Sequence, residues 1–159
     1  MNSDTPLQII TNVITKFSFA TKGGIAVNNP YKQNQDAYLT NPHILGLSHS
    51  HFFSVCDGHG TNGHHVSNFL KFTLPKNIEE SLSTYPNIKA AELTEYPDFR
   101  TVKQSLRSAF KKTNDSLCNT QGLDVRFSGS TCVSVLTFGR KIYVANVGDS
   151  RSILVRQGK

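Results

Sequence analysis

Apolar and polar positions alternate or recur along this chain in two distinct rhythms, and each rhythm predicts a different element. Short strand-like runs come first: 17–20 "FSFA", 36–40 "DAYLT" and 51–56 "HFFSVC", the last of them largely apolar and so expected in the interior. From about Asn62 the period lengthens to three and four. Val66, Phe69, Leu70 and Leu74 then form one helical face, which Ile78 and Leu82 continue beyond a kink or restart at Pro75. The stretch 83–97 holds two prolines and no period, so it reads as loop. Asp98 is placed to cap a second helix. Its stripe is Phe99, Val102, Leu106, Ala109, Phe110 and Leu117, and Thr120-Gln121-Gly122 ends it. After Ser128-Gly129-Ser130 the period returns to two, in "TCVSVLTF", "KIYVANV" and "RSILV". The turns between these three runs are too short for a parallel crossover, so the strands are expected to pair antiparallel.

Composition narrows the function. The chain has 159 residues, 37% hydrophobic and 18% charged, which fits one globular domain. No apolar run approaches the roughly 18–20 residues that cross a bilayer. The start "MNSDTPLQII" has neither a secretory pattern nor a glycine at position 2 for myristoylation. No membrane association is expected, and the cytosol or nucleus is the expected location. Cys56, Cys118 and Cys132 form no CxxC pair. An odd thiol count without an export signal suits a reducing compartment, with Cys56 and Cys132 buried in strands. The net charge is +6, but the basic residues are scattered and there is no tryptophan, so no nucleic-acid partner is expected.

Candidate chemistry centres on "SVCDGHGTNG" at 54–63, which contains the spacing G-x-G-x-x-G. A dinucleotide fold would need a parallel strand after the following helix, with an acid at its end about 20 residues on. Glu79 and Glu80 fall near that distance, but inside a helix, and the later strands form an antiparallel meander. Asp57 at the mouth of the loop would also repel a phosphate unless a cation lay between them. With a metal in place of the phosphate the same residues make sense. Asp57 ends a strand, Gly58 turns the chain and can offer its carbonyl, and oxygen donors favour Mg²⁺ or Mn²⁺. His59 stands beside them as a proton donor. The plain alternative is an Asp-Gly turn with a surface histidine. A zinc cluster among His49, His51, His59, His64 and His65 is disfavoured, because no recognised ligand spacing occurs and His64 and His65 diverge on a helix.

Four motifs in order, "NQD" at 34–36, "VCDGHGTNG" at 55–63, "SGST" at 128–131 and "VANVGDSR" at 144–151, make this chain resemble the metal-dependent Ser/Thr protein phosphatases of the PPM, or type 2C, family. Phe17 to Gly24 is similar to the family's first strand and its glycine. The resemblance implies an α+β fold, an antiparallel β-sandwich flanked by helices in αββα layers, with a metal centre between the sheets. It implies hydrolysis of phosphoserine and phosphothreonine in a phosphoprotein substrate by a metal-bound water, using two Mg²⁺ or Mn²⁺ ions and a weaker third. By match of motif, Asp57 would bridge two ions and Gly58 would give its carbonyl to one. His59 would be the general acid, Asp36 would hold metal-bound waters, Asp149 would serve the third ion, and Lys32 would meet the substrate phosphate.

The resemblance has departures. Gln35 stands where many members have Glu, and Tyr31 where some have a phosphate-binding Arg. The family's later half supplies two further metal-binding aspartates, whereas no acidic residue follows Asp149 here. Residues 1–16 therefore read as an N-terminal extension and 17–159 as the N-terminal part of a phosphatase domain, with the remainder absent. On this reading the sandwich is incomplete, metal binding and turnover by the chain alone are impaired, and uncovered sheet edges invite self-association. The alternative from another class is a non-catalytic pseudophosphatase fragment that binds a phosphoprotein or regulates a phosphatase.

Overall fold

Described in a computed structural model, residues 10–85, 88 and 96–157 form one antiparallel sheet with two long helices. The elements are β1 (Asp36–Asn41), β2 (Ser50–His59), α1 (Gly63–Ser83), α2 (Phe99–Cys118), β3 (Gly129–Ser130), β4 (Cys132–Phe138) and β5 (Lys141–Val147). Strands run in the order β1-β2-β4-β5, and β3 extends the β4 side of β2. Every pairing is antiparallel, and β4 turns into β5 through the two residues Gly139 and Arg140. This is the α+β class expected from the sequence, represented here by one sheet and the helical layer.

Alternation along β2 assigns the two faces. Ser50, Phe52, Ser54 and Cys56 are buried toward the helices, while Val55, Asp57 and His59 are exposed. Phe52, Leu136 and Phe138 from the sheet pack with Leu74, Ile78 and Leu82 of α1 and Val102, Leu106 and Ala109 of α2. Side chains of this size contribute about 1.5–3 kcal/mol each when fully buried, so this layer dominates stability. Between the helices, the buried Asn77 Nδ2 donates to Thr113 Oγ1 at 2.9 Å, and that hydroxyl donates to the Ala109 carbonyl at 2.7 Å. The thiols of Cys56 and Cys132 are buried and free, and Ser54 Oγ lies 3.6 and 3.4 Å from them. The hydrogen bond shared with Cys132, and then burial, push the Cys56 thiol upward from its ordinary pKa.

Three expectations are corrected. Pro75 does not restart α1, which runs through it as one helix, Gly63–Ser83. The helix forgoes one backbone bond there because Leu74 and Ile78 on either side are both buried. Residues 17–20 are not a strand. They lie across the outer sheet face, with Phe17 against Phe53 (5.3 Å between ring centres) and Phe19 stacked on Tyr38 (4.4 Å). Residues 151–155 are not a strand either. Ile153, Leu154 and Val155 are exposed, and an apolar run forms a strand only where a ladder partner exists, which the described residues do not supply.

Helix α2 follows its sequence pattern, and Asp98 caps it, accepting from Arg100 N at 3.0 Å and Thr101 N at 3.2 Å, a contribution of about 1 kcal/mol. Phe99 is the exception in its stripe, since it is exposed. Most of the loop expected at 83–97 lies outside the described residues.

Candidate metal centre

β2 runs further than its apolar run suggested. It continues through Asp57 and Gly58 to His59, so Asp57 lies inside the ladder rather than at a strand tip. Asp57 therefore has neighbours on both sides. On one side its Cα partner is Asp36, the first residue of β1. On the other, Thr131 N donates to the Asp57 carbonyl at 2.8 Å and Asp57 N donates to Thr131 Oγ1 at 3.0 Å. Cross-strand partners project their side chains to the same face, so two carboxylates are set side by side on the exposed outer surface.

The Asp36 carboxyl sits above its ordinary pKa, first because it is partly stripped of water, then because the Asp57 charge repels its own and because in its protonated form it hydrogen-bonds Asp57. The Lys32 ammonium opposes this but does not cancel it. The structure thus places Asp36 beside Asp57 and within reach of the Lys32 charge. Paired hard oxygen donors whose mutual repulsion is incompletely relieved are the donor chemistry that suits a divalent ion such as Mg²⁺ or Mn²⁺.

The pKa direction makes a testable prediction. A raised folded-state pKa means that stability is complete below the ordinary Asp value near pH 4 and declines as pH rises through the folded value. Asp36→Asn removes this penalty, so without metal the variant should melt at a higher temperature than the parent at pH 7 and at about the same temperature near pH 3. Equal melting temperatures at pH 7 would show that the two carboxylates do not oppose each other.

The role of Gly58 also differs from the expectation. It does not turn the chain; that falls to Gly60, at φ +81°. Gly58 is needed for close approach, since an added Cβ would overlap the Gly63 carbonyl oxygen and come within 2.5 Å of the Gln35 carbonyl oxygen. Gly58 N donates to the Gln35 carbonyl at 3.2 Å, and among the described residues Gln35 returns no bond to the Gly58 carbonyl. The same Gln35 carbonyl accepts from Ser67 Oγ of α1 at 2.6 Å, and Gln35 Nε2 donates to the Gly60 carbonyl at 2.7 Å. Gln35 therefore fastens the end of β2, the turn and α1 to one another.

His59 is exposed two residues beyond Asp57, and Gly129 lies against its ring. Asp149 follows β5 in an exposed turn. Among the described residues no group of three or more His, Cys, Asp or Glu side chains is gathered to hold a metal, so Asp149 does not join the Asp36–Asp57 pair. Tyr31 is exposed. Of the other histidines, His51 is held by two polar contacts, whereas the buried His49 Nε2 and His64 Nδ1 have no hydrogen-bond partner among the described residues. His51 contacts the Pro42 carbonyl through Nδ1 (2.5 Å) and Asn12 Oδ1 through Nε2 (2.8 Å), and burial, then the charge of His51, lowers the pKa of His49.

Ser67, Thr131 and Ser128, whose Oγ accepts from Asn62 N at 2.9 Å, support the site and were not assigned roles from the sequence. "SGST" was visible as a motif, but a small hydroxyl residue signals its partner only once the strands are paired.

The chain's sequence and fold both match known proteins. The family profile described as Protein phosphatase 2C matches residues 21–159. The chain is 38% identical over 138 residues to "Probable protein phosphatase 2C 35" of Arabidopsis thaliana, covering 87% of this chain and 35% of that protein. It is 30% identical over 148 residues to "Probable protein phosphatase 2C 75" of Oryza sativa subsp. japonica, covering 76% and 34%. Among solved structures it is similar to a bacterial serine phosphatase, with TM-score 0.54, 25% identity, and coverage of 76% of this chain and 49% of that one. The chain belongs to the protein phosphatase 2C family and corresponds to the N-terminal part of its catalytic domain. It spans about a third of the length of these plant relatives. Among the described residues, no helix is long and apolar enough to cross a membrane.

Proposed function

We propose that this chain contributes one side of the metal centre of a protein phosphatase that hydrolyses phosphoserine and phosphothreonine in proteins. The observation behind this reading is the side-by-side placement of Asp36 and Asp57, with the Lys32 charge close enough to act on Asp36. Asp57, the Gly58 carbonyl and Asp36 would hold Mg²⁺ or Mn²⁺, and Asp149 would serve a weaker site. Bound ions of this kind lower the pKa of water and neutralise charge on phosphoryl oxygens.

The chain's own residues have separate tasks. Lys32 attracts and orients the phosphate of the substrate. His59 protonates the departing serine or threonine oxygen, which leaves as a neutral alcohol. Gln35 holds Gly58 and the Gly60 turn in register, so that the donors stay fixed while substrate exchanges. Residues 17–159 form the phosphatase segment and 1–16 its extension.

The test is Mn²⁺-dependent release of phosphate from a phosphoserine peptide. It is run on the 159-residue chain and on that chain joined to the remaining part of the Arabidopsis relative's domain. Turnover is expected in the joined protein, little in the chain alone, and none in either with Asp57→Asn. Peptide binding without turnover by the joined protein would favour a non-catalytic phosphoprotein-binding role. Turnover unaffected by Asp57→Asn would remove the proposed centre.

A further inference from the structure

Between β3 and β4 the ladder opposite β2 changes character at one residue. Thr131 N donates to the Asp57 carbonyl at 2.8 Å, as a hydrogen-bonded antiparallel pair requires. The return bond would normally run from Asp57 N to the Thr131 carbonyl. Instead, Asp57 N donates to the Thr131 side chain at 3.0 Å, while the Thr131 carbonyl accepts from Ser130 Oγ at 2.8 Å. A hydroxyl has replaced a main-chain acceptor at the residue that bears the central carboxylate. That hydroxyl has a second partner: Thr131 Oγ1 and Ser150 Oγ share a hydrogen bond at 2.7 Å. Ser150 adjoins Asp149 in the turn after β5, and a Cβ at Gly148 in that turn would lie 2.7 Å from Thr131 Cγ2. One threonine side chain thus touches both acid-bearing segments, β2 and the 148–150 turn.

We infer that Thr131 is a positioning residue that couples Asp57 to the 148–150 turn, so that the Asp57 carboxylate is held in place for metal. The inference rests on the metal reading above and adds a residue that touches neither ion nor substrate. Valine has the shape of threonine but neither accepts from Asp57 N nor bonds Ser150, whereas serine keeps both bonds.

The experiment compares Thr131→Val, Thr131→Ser and Ser150→Ala with the parent 159-residue chain. It reads amide hydrogen exchange without metal and Mn²⁺ affinity by electron paramagnetic resonance. Thr131→Val should speed exchange at Asp57 and through 148–151 and weaken Mn²⁺ binding about tenfold, the lower end of the usual loss for a supporting residue. Thr131→Ser should restore both readouts. Ser150→Ala should speed exchange only in the turn, with a smaller loss of affinity, and it decides the question should the valine variant not fold. If the parent binds Mn²⁺ and Thr131→Val, or in its place Ser150→Ala, binds equally well, the coupling is refuted while the metal reading stands. Should the 159-residue chain bind no Mn²⁺, the same variants are read in the chain joined to the remaining part of the Arabidopsis relative's domain, and absence of Mn²⁺ binding there overturns the metal reading and this inference with it.

Discussion

Gly58→Ala is expected to destabilise the fold by about 3 kcal/mol, at the upper end of what inserting one carbon into a packed site costs. The three atoms in the way are all backbone, Gly63 O and C and Gln35 O, so no side-chain rotation can make room. Gln35 is also pinned by Ser67 Oγ and Gly63 by the first turn of α1, so relief would require α1 to move off the sheet. Chemical denaturation should show the midpoint shifted with little change in slope. Wild-type stability in this variant would mean that the approach of β1, β2 and α1 at this point is looser than the structure shows.

Asp57→Asn should have the opposite profile, with stability retained and metal binding lost. Asp57 holds its place in the ladder through backbone bonds to Thr131, which the substitution leaves intact. The amide is close in shape to the carboxylate and relieves repulsion of Asp36, so the metal-free melting temperature should hold or rise. Removing the charge of the central ligand should weaken Mn²⁺ binding by about 100-fold or more, since ligand charge and number set affinity at hard-ion sites. Titration calorimetry on parent and variant measures this directly. Equal affinities would place the metal elsewhere in the chain.

The sequence was most legible where local physics decides the outcome. The stripe and cap of α2 and the β4–β5 hairpin follow from period and turn chemistry, and two of the matched motifs singled out Asp36 and Asp57, which the strand register sets side by side. It was least legible where a long-range partner decides. The apolar runs at 17–20 and 151–155 look like strands, yet a strand is a property of a pair. Pro75 reads as a kink or restart, yet one helix runs through it between buried leucine and isoleucine. β2 looked as though it ended at Cys56 because Asp57, Gly58 and His59 are poor strand formers in isolation. Their pairing with β1 and β3 is what extends it. Thr131 was hidden for the same reason, since its partner lies 74 residues away in sequence.

That separation has a consequence for how the protein reaches its native state. Asp36 and Asp57 meet across neighbouring strands of a short hairpin-like unit, an early and entropically cheap closure. The Thr131 contact must wait for a much longer loop to close. During synthesis the acids can meet before β4 has left the ribosome, and for that interval they repel each other without the threonine that later steadies them. A divalent ion captured at that moment would act as a folding cofactor, and refolding should run faster in Mn²⁺ than in its absence.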